Sequence, residues 1–369
     1  MTAVSPYRVL FCDLRTDRVL DSLPLRDVQV DDYIGRTGSL TGTLPIPDAA
    51  TAARAQALQE GRTAVYLERG GDLWWGGILW TTTLTSDDKG AMSLTIQAAT
   101  FDSYAARRRI RRDFVSVGEQ DELAFARDLW TYMQDSEGGD IGVVVGEEMS
   151  GQMLEVSWRA TDEIVVDDAL REIADSENGF EQYIEVSRNP DTGVRTKRLR
   201  LGTPQLEQGG EDLVLDRPGS ILGYSFPRDA TRGGTHARVR GGTIERNASQ
   251  EARQIVSPVM VDRDLIAEGW PQIDLSADLP QVLWPGRLVR HAVMLLRRAR
   301  GTVVIPEITV RLDDRLPLPP RLLGRTVRLR ITDEWHPDGF EGRFRVVGIK
   351  ITPPQRGRPE TAELFLERR

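Results

Sequence analysis

The chain has 369 residues, of which 40% are hydrophobic and 28% are charged, and this composition excludes wholesale disorder. A single cysteine excludes a disulfide framework, and no apolar run is long enough to span a bilayer. Because the first residues lack the basic flank and apolar core of a secretion signal, we expect a protein that is synthesised in the cytoplasm and makes no membrane insertion.

Charge is distributed unevenly along the chain. The formal net charge is +1 over residues 1–112, −16 over 113–225 and +7 over 226–369. An acidic block between two neutral or basic ends predicts a separate middle domain. Nearly all the cations are arginines, which indicates a GC-rich coding sequence.

The N-terminal segment, residues 1–112, is predicted to form a small antiparallel β-barrel or sandwich. Alternating apolar and polar residues with Gly and Asp turns predict short strands over residues 7–44. An alanine-rich stretch at 47–60 predicts one helix, and three further strands follow between 61 and 98.

The middle segment, residues 113–225, is predicted to be an acidic α+β domain. Apolar residues at helical spacing predict helices over 119–134 and 162–176, and a hairpin is predicted over 183–201. Pairs of adjacent carboxylates such as Glu147 and Glu148 lack the ligand spacing of a calcium loop, so no metal site is predicted.

The C-terminal segment is predicted to hold a second β-barrel, built from residues 226–246 and 302–369. Between these parts, residues 247–301 are predicted to be an insertion that is irregular apart from one amphipathic helix over 286–300. The fold class predicted for the whole chain is therefore α+β, mainly β, with the second barrel interrupted.

The two ends of the chain follow one pattern, which predicts an internal duplication. Residues 61–98 and 324–366 both run strand, turn, strand, turn, strand, and they open with Gly61-Arg62-Thr63 and Gly324-Arg325-Thr326. Chance similarity between two β meanders is the alternative.

Two clusters are candidate interaction sites. The densest positive cluster could contact phosphates or form an interface, or it could be a linker that pairs with the acidic block. Its members are Arg107, Arg108, Arg109, Arg111 and Arg112. A row of tryptophans could be a sugar platform or an interface, or else barrel core. Its members are Trp74, Trp75 and Trp80.

No catalytic constellation is present. The three histidines are scattered, and the sequence contains no phosphate-binding loop and no nucleophile elbow. We therefore predict neither an enzyme nor a cofactor.

The layout resembles the tail hub proteins of tailed phages, in which two related barrels are separated by an α+β domain. Local likeness lies in Tyr7–Asp13, in Gly38–Pro45 with Trp75–Trp80, and in the closing module Gly324–Leu366. The opening stretches are similar to minor tail proteins of phages that infect actinobacteria, which fits the arginine bias. The resemblance carries over no catalytic residues.

The resemblance implies a homotrimer at the virion tail tip that adapts a six-fold tail tube or distal tail protein to three-fold tip proteins. Further implied partners are the tape-measure protein and a tail-tip fibre or receptor-binding protein, and DNA would pass through without specific binding. Two alternatives stay open: a carbohydrate-binding, receptor-recognising tail-tip protein, and the hub of a phage-derived contractile injection particle.

Overall fold

A computed structural model describes residues 7–115, 120–154, 156–175, 179–244, 253–280, 282–300, 303–304, 306–312, 321–354 and 359–368. The chain divides into two compact units. The larger comprises Met1–Leu170, Glu181–Tyr224 and Glu307–Arg369, and the smaller comprises Arg171–Phe180 and Ser225–Pro306.

Strands dominate the N-terminal segment, and the middle of the chain mixes short strands with two helices. The N-terminal segment contains β1 Tyr7–Asp13, β2 Val19–Asp21, β3 Arg26–Tyr33, β4 Ser39–Ile46, α1 Ala49–Gln56, β5 Thr63–Arg69, β6 Asp72–Ser86, β7 Met92–Thr100 and a 3-10 helix Phe101–Arg107. The middle contains β8 Phe114–Val115, β9 Gln120–Asp121, α2 Glu122–Asp135, β10 Val143–Val144, β11 Met153–Leu154, β12 Ser157–Trp158, a 3-10 turn Ala160–Asp162, α3 Val166–Ala174, β13 Glu181–Arg188, β14 Arg195–Gly202, β15 Leu213–Arg217 and β16 Ile221–Ser225.

The remaining elements complete the chain. They are β17 Arg228–Asp229, a 3-10 turn Ala230–Arg232, β18 His236–Ile244, β19 Arg253–Val256, β20 Met260–Val261, α4 Arg263–Ala267, β21 Asp274–Asp278, α5 Pro285–Arg298, β22 Val303–Val304, β23 Glu307–Arg311, β24 Thr326–Ile331, β25 Phe340–Thr352 and β26 Thr361–Arg368.

The predicted fold class, α+β and mainly β, is confirmed. All four predicted helices exist, with shifted ends: α1 starts after Asp48, whose carboxylate accepts a hydrogen bond from the Thr51 amide at 2.7 Å as an N-cap. The predicted start of the second helix, residue 119, and the predicted end of the third helix, residue 176, lie outside the described residues. No helix among the described ranges is long and apolar enough to cross a membrane.

The larger unit is built around one 13-stranded sheet. Its strands follow the order β16-β23-β26-β25-β3-β4-β7-β6-β5-β1-β2, and β24 and β15 branch from β25. In the N-terminal half the alternating strands place Phe11, Leu40 and Trp75 in a core that Ala55 of α1 and Leu58 just after the helix cover.

Two halves of this sheet repeat one strand order, as the internal duplication predicts. The N-terminal half runs β3-β4-β7-β6-β5-β1 and the C-terminal half runs β16-β23-β26-β25-β24-β15. The last pair differs, because β1 is antiparallel to β5 whereas β15 is parallel to β24.

The described strands of the two halves lie in one continuous sheet, no closed barrel is seen among them, and the two separate barrels stay a prediction. The halves are joined because β25 pairs with β3 as well as with strands of its own half. Period-two alternation identifies strands and their faces, but it contains no information about which distant strand supplies the partner.

The C-terminal half begins earlier in the chain than residue 226. β15 and β16, which the charge pattern assigns to the acidic domain 113–225, belong to the large sheet. Within 226–246, β18 does not join the second module, because it pairs instead with β19, β20 and β21, which follow it closely along the chain.

The predicted insertion at 247–301 is more regular than expected. Its described part contains β19, β20, β21 and α4 besides α5, while residues 245–252, 281 and 301 lie outside the described ranges. α5 covers the sheet around β18 and buries Leu288 and Ala292 against Val239.

Candidate interaction surfaces

The seam between the two halves of the large sheet is formed by β3 and β25. Four antiparallel pairs run from Gly348 opposite Tyr33 to Ile351 opposite Val30. The seam is extended by the Ile34 amide, which donates to the Val347 carbonyl at 3.0 Å. A Cβ at Gly348 would lie 2.4 Å from the Tyr33 ring, so only glycine allows the ring to lie over the strand at this point.

A buried ionic contact reinforces this seam. The carboxylate of Glu360, which is buried, accepts hydrogen bonds from the hydroxyl of Tyr7 and from the guanidinium of Arg69. Burial and the adjacent carboxylate raise the pKa of Tyr7, so its hydroxyl keeps its proton and remains a donor. Strands β1 and β5 of one half are thereby bonded to Glu360, the residue just before β26.

The hairpin β13–β14 is bonded to the C-terminal half through Arg345. This side chain is only 2% exposed, and its guanidinium donates to both carboxylate oxygens of Glu181, to Glu367 and to the Leu206 carbonyl at 3.0 Å. Burial by itself lowers the pKa of Arg345, but the two carboxylates outweigh it and the net shift is upward. The guanidinium is therefore buried and bonded through both terminal nitrogens, while its Nε has no partner among the described residues and the carboxylates of Glu181 and Glu367 stay partly exposed.

The same hairpin is bonded to the N-terminal half through Lys197. The buried ammonium donates to the Leu14 carbonyl at 3.0 Å and to the Ile141 carbonyl at 2.7 Å, and lies 4.7 Å from the Phe101 ring centroid. Burial lowers the pKa of Lys197. The hairpin thus connects both halves of the sheet through buried cations.

The arginine cluster lies where the first half leads into the acidic segment, and its contacts are within the chain. Arg108 donates to the Tyr104 hydroxyl at 2.6 Å and to the Ser136 hydroxyl, while Arg109 donates to the Glu163 carbonyl at 2.9 Å. Arg111 pairs with the Glu163 carboxylate at 3.5 Å.

The two remaining members of the cluster lie over aromatic rings. Arg107 lies 5.3 Å from the Trp80 ring, and Arg112 lies 4.5 Å from that of Phe114. Each member of the cluster therefore contacts a residue of its own chain, as a linker would, and phosphate binding stays a prediction.

The structure does not bring the three tryptophans together as a platform. Trp75 is fully buried and its indole N–H donates to the Asp31 carbonyl at 2.9 Å, and Trp74 is also buried. Trp80 is partly exposed and donates to the Ser103 hydroxyl at 2.8 Å. Because β6 is an inner strand at Trp74 and Trp75, their ring faces pack in the protein and cannot stack on a sugar.

Sequence reasoning missed the most exposed aromatic residue. Trp335 is 77% exposed in the turn between β24 and β25, where Asp333 accepts a hydrogen bond from the Tyr224 hydroxyl at 2.7 Å. A tryptophan in an Asp- and Gly-rich turn is the only sequence signal for such an exposed ring.

The described residues contain no group of three His, Cys, Asp or Glu side chains placed to hold a metal ion. The histidines lie on separate elements: His236 on β18, His291 on α5 and His336 in the turn after β24.

Comparison with known proteins identifies the fold. No family model matches the chain, and no curated protein matches it in sequence. Among solved structures, it is similar to the prophage MuSo2 43 kDa tail protein from Shewanella oneidensis, with a TM-score of 0.60, 10% identity and 98% of each chain covered.

Two further tail proteins share the fold. The tail protein from Neisseria meningitidis MC58 gives a TM-score of 0.57 at 13% identity, covering 98% of this chain and 96% of its own. Prophage tail protein gp18 from Listeria monocytogenes gives 0.52 at 10% identity, covering 98% and 95%. The resemblance to phage tail proteins is confirmed at the level of the fold.

Proposed function

We propose that this chain is a structural protein of a phage tail that forms a homotrimeric hub at the tail tip. The observation that carries the proposal is the fold, which matches phage tail proteins over nearly the whole length of both chains. The repeated strand order within the sheet supports the finer assignment to a hub.

The duplication gives a trimer a way to meet a six-fold tail. Each half of the large sheet would act as one barrel-like module, so three chains present six related modules in a ring. Such a ring docks on a six-fold tube or distal tail protein while keeping three-fold symmetry toward the tip proteins. The buried contacts of Glu360, Arg345 and Lys197 support this role, since they would hold both modules in one rigid body under load.

The net charge and the contacts of the arginine cluster are those expected of a channel through which DNA passes, rather than of a site that binds DNA. The chain carries a net charge of −8, and its densest arginine cluster makes contacts within the chain. A channel through which the tape-measure protein and DNA leave should bind phosphate weakly, and weak binding requires that cations are not clustered on its wall. The acidic residues of 113–225 would face outward or toward a tip partner.

The role is structural rather than enzymatic. Structural tail proteins that share this fold support this assignment. The carbohydrate-binding alternative has less support, because the burial of Trp74 and Trp75 removes the platform on which it depends.

The test is the mass of the purified protein in solution, measured by native mass spectrometry and sedimentation over a range of concentrations. The expected species is a trimer of the 41.3 kDa chain, or a monomer that becomes three-fold in purified tail particles. A stable dimer, or absence from such particles, would refute the hub. Binding to cell-wall polysaccharide in calorimetry would favour the sugar-binding alternative instead.

A further inference from the structure

Two hairpins that hold corresponding places in the large sheet have turns of very different length. β5 and β6 are joined by Gly70 and Gly71 alone, and both glycines have a positive φ, 61° and 99°. β24 and β25 hold the same places in the repeated strand order, and the whole segment 332–339 joins them. We call this segment the Trp335 loop. Because a turn of two residues suffices to close such a hairpin, the strands themselves do not require the longer loop.

The Trp335 loop is ordered by the carboxylate of Asp333. One carboxylate oxygen accepts the Trp335 amide at 3.1 Å and the His336 amide at 3.0 Å. The other oxygen accepts the Tyr224 hydroxyl at 2.7 Å and lies 3.7 Å from the Arg217 guanidinium. The backbone that carries the indole is therefore shaped before any partner arrives, so binding at this ring costs little conformational entropy.

The side chains that the loop presents to solvent are one large apolar ring and two carboxylates. Trp335 is 77% exposed. Glu334 precedes it and Asp338 follows it in the loop, and both are exposed without an ion pair or hydrogen bond to any part of the chain that the structure describes. Tryptophan is enriched at the centres of protein interfaces, and free carboxylates beside it attract cations. An apolar pocket with a cationic rim would complement this surface.

The corresponding turn in the N-terminal half offers no such surface. It carries no side chain beyond its two glycines, and the Gly71 carbonyl accepts a hydrogen bond from Arg188 of the β13–β14 hairpin at 3.4 Å. Of these two turns, only the one in the C-terminal half therefore presents a ring. Three copies of the chain would present three such loops, a number that suits a three-fold partner better than a six-fold one.

We propose that the Trp335 loop is the surface through which this chain binds a three-fold protein of the tail tip. Trp335 inserts into an apolar pocket of that protein, and lysine or arginine side chains at the pocket rim pair with Glu334 and Asp338. The inference rests on the proposed trimeric hub and adds the residues that make the contact. Two free carboxylates beside the ring favour a cationic protein surface over a neutral or anionic polysaccharide as the occupant.

The first test is photo-cross-linking in purified tail particles with the full chain. Trp335→p-benzoylphenylalanine places an apolar, photoreactive ring at the site, and Pro337→p-benzoylphenylalanine supplies a second exposed position in the same loop. The expected product is an adduct with one other virion protein, at a segment that contains lysine or arginine beside apolar residues. The matched control is Trp284, which is 62% exposed in the smaller unit and should give no adduct with that protein.

The second test measures affinity, by calorimetry of the trimer with the purified protein that the cross-link identifies. Trp335→Ala should weaken binding at least about twentyfold, and Trp335→Phe should restore part of the loss. The double variant Glu334→Gln/Asp338→Asn should weaken binding and reduce its dependence on salt. Trp284→Ala should bind like wild type. Because all four side chains are exposed, urea unfolding should show wild-type stability for each variant.

The outcomes separate the loop from the hub itself. If a trimer is present in tail particles but neither loop position gives an adduct, or the adduct is with another copy of this chain, the inference is overturned and the hub stands. Wild-type affinity of Trp335→Ala for the identified protein overturns it as well. Binding of cell-wall polysaccharide that is lost in Trp335→Ala would assign the loop to sugar instead. Absence of this chain from tail particles would refute hub and loop together.

Discussion

His291 should make the smaller unit sensitive to acid. Its imidazole on α5 is 6% exposed, and its Nε2 has no hydrogen-bond partner among the described residues. Burial first, and then the positive charge of Arg287, lowers the pKa of His291 from 6.5 to about 4. Asp175 opposes this shift and Arg298 adds to it, while those two side chains pair with each other at 2.5 Å.

The sign follows from the direction of the shift. Because the folded pKa lies below the unfolded one, the unfolded chain binds a proton between these values that the folded chain does not. Above pH 6.5 the imidazole is neutral in both the folded and the unfolded chain, so it does not make the free energy of unfolding depend on pH. Below pH 6.5 the free energy of unfolding falls as the pH drops toward 4. At 1.36 kcal/mol per pKa unit, His291 lowers the free energy of unfolding by about 2 kcal/mol at pH 5 and by about 3 kcal/mol at pH 4.

The assay compares wild type with His291→Leu by urea unfolding at pH 7, 6 and 5, followed by hydrogen exchange on peptides from α5. All other titrating groups are common to both proteins, so their effects cancel in the difference. The variant should lose about 2 kcal/mol less than wild type between pH 7 and pH 5. Parallel pH profiles for the two proteins would refute the reasoning, because they would show that the ring protonates equally easily in both states.

Three further predictions concern the large sheet and are measured by urea unfolding. Arg345→Met should lower the free energy of unfolding by about 1 to 3 kcal/mol, because it removes a buried guanidinium that is bonded to Glu181 and Glu367, and water can reach these partly exposed carboxylates once the cation is lost. Gly348→Ala should lower it by about 1 to 3 kcal/mol, because the new methyl group overlaps the Tyr33 ring. Trp75→Phe should lower it by about 2 to 4 kcal/mol, because it leaves a cavity and an unpaired carbonyl.

The chain offers a control for these variants. Gly209→Ala adds a methyl group at a glycine with no atom within 4 Å of the new Cβ, so it should leave stability within about 0.5 kcal/mol of wild type. If Gly348→Ala behaves like this control, the close packing of Tyr33 at the seam is not rigid. If Arg345→Met is as stable as wild type, hydration of Glu181 and Glu367 replaces the lost cation.

Much of the local structure was determined by the sequence itself. Period-two alternation gives most of the strands of both modules, and apolar spacing gives α2, α3 and α5 with their buried faces. The shared Gly-Arg-Thr openings also predict the duplication, since Gly61 and Gly324 adopt the same positive φ and make the same hydrogen bond. These features depend on residues that lie close together along the chain.

Strand partners and buried ion pairs were decided only by the tertiary structure. Tyr7 and Glu360 are separated by 353 positions, and nothing in either local pattern indicates that they meet. The assignment of β15 and β16 to the C-terminal half, and the pairing of β3 with β25, likewise depend on where the chain returns. Alternation fixes the face of a strand but leaves its edges equivalent, so the neighbour at each edge is selected by packing of the whole chain.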